Sequence, residues 1–541
     1  MTQTVTKTTC PFCTLGCEIG IRRERNRFGN EYPDSDFNHG RVCPRGSLAA
    51  RYLDFEKRLC YPRLGNHDVT WTTALEEVRR CLRTLKPDQI AVTFDKNLTI
   101  EEFACVDALV KAMGVSKFGS SYLEPEYYFN ESLDAGRGAT FEDLTKAEVF
   151  LLVGDVFAQA PVAAKFILDA RYRRREHRIV TIDSVSSYTL SFGDVQLRVD
   201  PGTEPLILDA LLKLSRKKHK EAKELCALAR VDESAAAAAK GLLDTLNRGV
   251  VIGVMAAGKN AEPLAQAVLL AQLADELPGS KKWLPLAESL SFAGPQPMSE
   301  ILAQVESDGI RAIVNFGDYF PFFYPQLEPL LKRLELIVTT STLIPPATDL
   351  PMLVFPVASN LEKNGTIRTC FGPKAIRAVA APVSGAKTID DLAMKLARAC
   401  DLELDSTAAT KPADRLPRER LDRLVEHSLA MLKNDRKQRP GPRLVGEKTA
   451  FAFLDILEEP ALKISRDLAG KLGLKPGGSI TLQSGPASVN RTVQISPQAR
   501  DDIVLISAES PANRGLFNIS FDGPDQSVHI GPTRVQVWKK E

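Results

Sequence analysis

The 541-residue chain has no run of 18 or more apolar residues, which argues against a transmembrane helix. It also lacks an excess of either charge. Its 70 Lys and Arg stand against 68 Asp and Glu, a formal net charge of +2. The overall charge therefore gives no reason to expect nucleic acid or an anionic membrane as partner. No G-x-G-x-x-G or P-loop phrase occurs, so the most readable nucleotide fingerprints are missing. Residues 1–9 are polar and hold no apolar segment of the kind an export signal needs. Arg22 and Arg23 form a twin arginine, but Glu24, Arg25, Asn26 and Arg27 follow it in place of an apolar stretch. The expectation is a cytoplasmic protein without direct membrane insertion.

What is present is an ordinary globular composition, 44% apolar and 26% charged, in a chain long enough for several domains. The ten cysteines are unevenly placed: Cys10, Cys13, Cys17 and Cys43 crowd the start, and the other six are scattered. In a long intracellular chain such cysteines are more often thiols or metal ligands than disulfides, and the scattered six read as small core hydrophobes. The first four have the spacing C-x2-C-x3-C-x25-C. Three thiolates within eight residues converge only if the backbone curls about a common centre, and Gly16 eases that curl. Cys43 arrives from a later loop, after turn signals at Gly29, Pro33 and Gly40. Four thiolates suit an iron–sulfur cluster or structural zinc. Zinc ribbons usually carry two CxxC knuckles, and here the second half supplies one cysteine only, so the cluster is the favoured reading and zinc the alternative.

Beyond residue 70 the pattern becomes strand–helix–strand. Helical spacing runs over 74–82, and Thr99 with Glu102 forms a capping box for a helix reaching about 113. A further helix is expected over 161–175. Short apolar runs predict strands at 90–94, 149–153, 179–182, 250–254, 312–315, 336–340 and 352–355. Such alternation predicts parallel sheets wrapped by helices. Ligands of such sheets bind past the carboxyl ends of the strands. The residues there are Gly154-Asp155, Asp183-Ser184, Gly258-Lys259-Asn260, Gly317-Asp318 and Thr340-Ser341-Thr342. Each of them also fits an ordinary turn.

The cysteine block, followed by Cys43-Pro44-Arg45-Gly46, resembles the [4Fe-4S] domain of the molybdopterin oxidoreductases. That family includes formate dehydrogenases, nitrate reductases and the large iron–sulfur subunit of NADH–quinone oxidoreductase. The resemblance implies that Cys10, Cys13, Cys17 and Cys43 ligate the cluster. It also implies that Arg45 takes the place of the basic residue lying between cluster and pterin. The body resembles the same family at 153–158, at Asp183, at 199–204, at 315–318 and at Leu361-Glu362-Lys363-Asn364-Gly365-Thr366. This allows a molybdopterin guanine dinucleotide, with Gly154, Asp155, Asp183, Gly317, Asp318, Lys363, Gly365 and Thr366 as candidate contacts. One departure matters. Molybdenum and tungsten members usually offer the metal a cysteine, selenocysteine, serine or aspartate, and the matching stretch, 118–139, holds no cysteine and no histidine. Ser120, Ser121 and Glu124 are the conceivable substitutes.

The resulting expectation is an α/β protein. It has a small [4Fe-4S] domain (1–65), two Rossmann-like parallel α/β domains (66–125 plus 321–400, and 126–320) and a charged, proline-rich linker (401–447) with one short helix over 421–432. A C-terminal β-barrel of the double-psi type (448–541) completes it, in which 513–518 either closes over a pterin or packs the barrel. The expected function is electron relay within a multi-subunit oxidoreductase whose companion subunits carry iron–sulfur clusters or flavin. A catalytic molybdenum or tungsten subunit and a zinc-stabilised structural subunit are the alternatives.

Overall fold

The structure, a computed structural model, describes all residues except 1–3, 26, 96–97, 121–137, 255–261, 288–297, 319–324, 405–417, 436–442, 448–460, 476, 509–510, 518, 521–528, 531 and 540–541. The chain forms two compact units, 1–123 with 289–414, and 124–288 with 415–541.

The first unit begins with a three-stranded antiparallel sheet, Thr4–Thr9, Glu18–Glu24 and Arg27–Glu31. Its main body is a seven-stranded sheet in the order His67–Asp68, Arg63–Leu64, Met352–Pro356, Leu336–Ser341, Ala312–Asp318, Ile90–Phe94, Lys117–Ser120. The last five strands are parallel. Strand Ile90–Phe94 is buried at every position, as a central parallel strand covered on both faces must be. Helices Trp71–Leu82, Ile100–Met113 and Ile389–Ala399 pack an apolar layer on this sheet through Val78, Val106, Leu109, Leu392 and Leu396. The expected capping box is formed: Thr99 Oγ1 accepts from Glu102 N, and Glu102 Oε2 accepts from Thr99 N. Strand Ala312–Asp318, expected in the second α/β domain, lies here between Ile90–Phe94 and Leu336–Ser341.

The second unit holds a five-stranded parallel sheet in the order Val195–Arg198, Arg178–Asp183, Val149–Val153, Arg248–Val254, Ser280–Leu286. Helix Pro161–Arg171 follows the first of these strands in sequence and ends four residues before the expected 175. A mixed seven-stranded C-terminal sheet completes the unit. Its strands Arg443–Glu447 and Ile503–Ser507 pair in parallel, as do Leu462–Ile464 and Ala487–Ile495. Arg500 Nη1 donates to Val199 O at 2.8 Å and Arg443 Nη1 to Pro201 O at 3.0 Å. The Asp200-Pro201-Gly202 turn thus anchors the C-terminal sheet to the parallel one.

The expected linker departs from the observed fold. Residues 418–435 form an 18-residue helix, longer than the expected 421–432. Its Val425, Leu429 and Leu432 are buried, and it packs on helices Glu204–Ser215 and Pro263–Glu276. Residues 443–447 are a strand. The apolar stripe at i, i+4 and i+7 is narrow, and charged residues around it give the segment the composition of a solvated linker.

Candidate iron–sulfur site

The cysteine loop lies between the first two strands of the N-terminal sheet. Cys10 N donates to Cys17 O at 2.7 Å and Gly16 N to Cys13 O at 3.3 Å. Gly16 has φ +64°, a conformation glycine adopts without strain, and a Cβ there would crowd Thr369 Cγ2 at 2.6 Å. The loop carrying Cys43 is fixed by Asn38, which has no exposed surface. Its Oδ1 accepts from Glu18 N at 2.8 Å, and its Nδ2 donates to Glu18 O at 3.0 Å and Arg41 O at 2.8 Å. One amide thereby ties residues 35–41 to the strand that leaves Cys17. After Cys43 the chain turns into a short 3-10 helix, Gly46–Leu48. A Cβ on Gly46 would run into Val42 Cγ1 and stand 3.5 Å from Cys10 Sγ.

Cys10 and Cys17 are buried, and Cys13 and Cys43 are half-buried. Burial pushes the Cys10 thiol up, the charges of Cys13 and Cys43 push it further, and Arg45 opposes them. Burial likewise raises Cys17, with Cys13, Cys10 and Cys43 adding to it and Lys374 opposing. The four thiols are therefore within electrostatic reach of one another. Burial and the neighbouring thiols thus disfavour the thiolate form here, a balance that a cationic centre would reverse, and four cysteines of this kind suit a [4Fe-4S] cluster. Among the described residues, no set of three or more His, Cys, Asp or Glu side chains is grouped for a single metal ion. A cubane cluster asks for something different, since each of its cysteines bonds a separate iron. Arg45 is itself buried.

A third segment reaches this loop. The hairpin Gly365–Thr369 and Gly372–Ile376 brings Cys370 N to Thr14 O at 2.8 Å and Lys374 Nζ to Gly16 O at 2.9 Å. Thr9 Oγ1 donates to Ala375 O at 2.8 Å, and Arg377 N to Thr8 Oγ1 at 2.9 Å. Lys374 Nζ also sits 3.8 Å from the centre of the Phe37 ring. Sequence reading passed over Lys374 and took Cys370 for a scattered core thiol. A β-branched run before Gly372-Pro373 signals the hairpin, but nothing local signals contact with residues 350 positions earlier.

The other candidate residues fall into three groups. In the second unit the strand order reverses between Val149–Val153 and Arg248–Val254, where open α/β sheets bind ligands. Gly154 (φ +81°) stands at this point, and a Cβ on it would be 3.2 Å from Val254 Cβ. Asp155 Oδ1 accepts from Thr189 Oγ1 at 2.7 Å and Ala158 N at 3.3 Å. On the neighbouring strand Asp183 Oδ1 accepts from Ser184 N at 2.8 Å and its Oδ2 from Ser187 Oγ at 2.7 Å. In the first unit the reversal lies between Ile90–Phe94 and Ala312–Asp318. Gly317 is there, so close to Asp95 that any Cβ would collide with that carboxylate. Asn315, Thr93, Thr339 and Thr340 form a buried hydrogen-bonded group beside it. Asp318 ends the strand opposite Thr340. Asp95 was missed because one aspartate after an apolar strand carries no signature of its own.

The third group is Lys363, Gly365 and Thr366. Lys363 Nζ meets Glu102 Oε2 at 2.6 Å in a buried pair. Thr366 N and Oγ1 donate to Glu101 at 2.9 and 2.8 Å, and a Cβ on Gly365 would crowd Thr99. These residues hold the chain to the start of helix Ile100–Met113. In the C-terminal sheet Leu516 and Phe517 are buried, and Asn513 Oδ1 accepts from Arg491 Nε at 3.0 Å. Ser120 Oγ reaches Phe94 O at 3.5 Å. Ser121, Glu124, 258–260 and Asn518 lie outside the described residues.

These features place a four-cysteine N-terminal domain beside parallel α/β sheets. Residues 3–54 match the molybdopterin oxidoreductase Fe4S4 domain. The chain is 23% identical over 609 aligned positions to the NADPH-Fe(3+) oxidoreductase subunit alpha of Geobacter sulfurreducens, covering 93% of this chain and 71% of that one. It is 26% identical over 226 positions to the F420-dependent formate dehydrogenase subunit alpha of Methanocaldococcus jannaschii, covering 39% of this chain and 33% of that one. Among solved structures, acetylene hydratase from Pelobacter acetylenicus shares the fold with a TM-score of 0.72 at 12% identity, over 99% of this chain and all of that one. Residues 3–54 thus carry a molybdopterin oxidoreductase Fe4S4 domain, and the chain as a whole shares the fold of a solved structure of similar length. Among the described residues no helix is long and apolar enough to cross a membrane.

Proposed function

We propose that this chain is an electron-relay subunit of a multi-subunit oxidoreductase, with one [4Fe-4S] cluster ligated by Cys10, Cys13, Cys17 and Cys43. When bound, such a cluster accepts and passes on single electrons. The observation that supports the reading is the curled Cys10–Cys17 loop, closed by Cys10 N to Cys17 O, beside a Cys43 loop locked to Glu18 by Asn38. Burial and mutual charge there favour a cationic centre. Arg45 supplies a buried positive charge on the Cys10 side. The relay role, as against catalysis, is supported by the lack of cysteine and histidine over 118–139. Formate-type chemistry joins a soft metal ligand to a proton-handling group. Companion subunits with iron–sulfur clusters or flavin follow from a single cluster motif, and the relatives above are themselves named as alpha subunits.

A second reading is a catalytic molybdenum or tungsten subunit holding a pterin dinucleotide. Gly154, Asp155 and Asp183 at one strand-order reversal, with Gly317 and Asp318 at the other, favour it. In this reading the C-terminal sheet, with its two parallel pairings, is a double-psi barrel. Anaerobic purification followed by metal and sulfide analysis tests both readings. Iron and acid-labile sulfide of about four each per chain, without molybdenum or tungsten, are expected. Stoichiometric molybdenum or tungsten overturns the relay role, and zinc in place of iron overturns the cluster.

A further inference from the structure

We propose that Lys374 is a potential-setting residue: its ammonium, held against the Cys17 side of the cysteine loop by the 365–376 hairpin, makes the cluster easier to reduce. The inference rests on the cluster reading above and adds to it a residue more than 330 positions along the chain from each of the four cysteines.

Three observations carry it. Lys374 Nζ donates to Gly16 O at 2.9 Å, the carbonyl of the peptide bond that leads into Cys17. It lies 3.8 Å from the centre of the Phe37 ring, whose π-face favours a cation. Phe37 is in turn set by Phe371, ring centre to ring centre 5.7 Å at 66°, so both walls of the ammonium's seat come from this loop and this hairpin. Third, the hairpin cannot drift. Cys370 N, Thr9 Oγ1 and Arg377 N each make a cross-segment hydrogen bond of 2.8–2.9 Å, and Gly16 leaves no space for a Cβ beside Thr369. Lys374 is half-buried, so its charge is less screened than that of a surface lysine. Burial pulls its proton affinity down, while Cys17, Cys370 and Glu18 pull it up. A ligated, anionic centre adds to that second pull and keeps the ammonium charged.

The consequence follows from charge. A fixed positive charge nearby favours the form of a redox centre that carries one more electron. In the test that electron comes from dithionite, and no bond is made or broken at Lys374.

The experiment is an anaerobic dithionite titration of the full chain, followed by electron paramagnetic resonance, for wild type, Lys374→Gln, Lys374→Met and Lys374→Arg, with iron and sulfide measured for each. Glutamine keeps a hydrogen-bond donor for Gly16 O without the charge. The expected result is a full cluster in every protein, with the midpoint lowered in the Gln and Met variants. The oxidised-to-reduced ratio at the wild-type midpoint should rise at least tenfold, about 59 mV for a one-electron couple, while Lys374→Arg stays near wild type. An unchanged midpoint in Lys374→Gln with a full cluster overturns the proposal. Loss of the cluster from both neutral variants with retention in Lys374→Arg also overturns it, in favour of a role in assembly. A wild-type protein without iron and sulfide would sink the cluster reading itself.

Discussion

Replacing Lys363 with Met should loosen the first unit locally, and by an amount the structure allows one to work out. Lys363 Nζ and Glu102 Oε2 stand 2.6 Å apart, and each side chain is only 4% exposed. Removing one partner of such a pair leaves a buried charge and costs about 3–5 kcal/mol. Glu102 retains two amide donors, Thr99 N at 2.9 Å and Ile389 N at 3.1 Å, which places the cost near the lower end, about 3 kcal/mol. At about 1.4 kcal/mol per tenfold, the opening equilibrium of this region should shift roughly 100-fold. Native-state hydrogen exchange reads it directly, because local openings report on their own free energies. Amides in the first turns of helix Ile100–Met113 and in strand Gly365–Thr369 should lose about 100-fold protection. Those of strand Val149–Val153 in the other unit should not change. Adding Glu102→Gln removes the stranded charge and should restore at least half of the loss, in logarithmic terms. Unchanged protection in Lys363→Met, or a double variant no better than the single one, would refute the reasoning.

Three further outcomes are expected. Gly46→Ala pushes a methyl group into Val42 and toward Cys10 Sγ, so iron per chain should fall below half the wild-type value by metal analysis, and full occupancy would show that the close approach is unimportant. For Asp194, burial raises the carboxyl, but hydrogen bonds from Arg171 and the Ile179 amide outweigh it and hold the group below its ordinary range. A depressed folded-state value stabilises above the unfolded pKa of about 3.9 and is lost as pH falls through the folded one. Asp194→Asn should therefore melt below wild type at pH 7, and the gap should close on acidification below about pH 4; a pH-independent gap would contradict this. Cys105 is pushed up to about 11 by burial, aided by Asp390 and Glu102, so at pH 8 it should alkylate far more slowly than an unperturbed cysteine, as mass spectrometry can follow.

Much of the fold is local and was legible. A central parallel strand is apolar at every position because both faces are covered, so 90–94, 149–153 and 352–355 show themselves. The Thr99–Glu102 capping box is a four-residue device and shows itself too. The cysteine spacing pointed to a thiolate site because three thiols within eight residues are set close together by the chain alone. What sequence could not settle is which buried strands share a sheet, since all have the same pattern. Strand Ala312–Asp318 joins Ile90–Phe94 across more than 200 residues, and only that pairing sets Asp95 against Gly317. The helix at 418–435 hides three core residues in a charged segment. Lys374 and Cys370 meet the cysteine loop through contacts whose partners lie at the other end of the first unit's sequence. Residue type and short-range spacing thus determined the elements and the class of centre. Long-range packing, which brings separated segments to one place, decided which charges stand beside the cysteine loop.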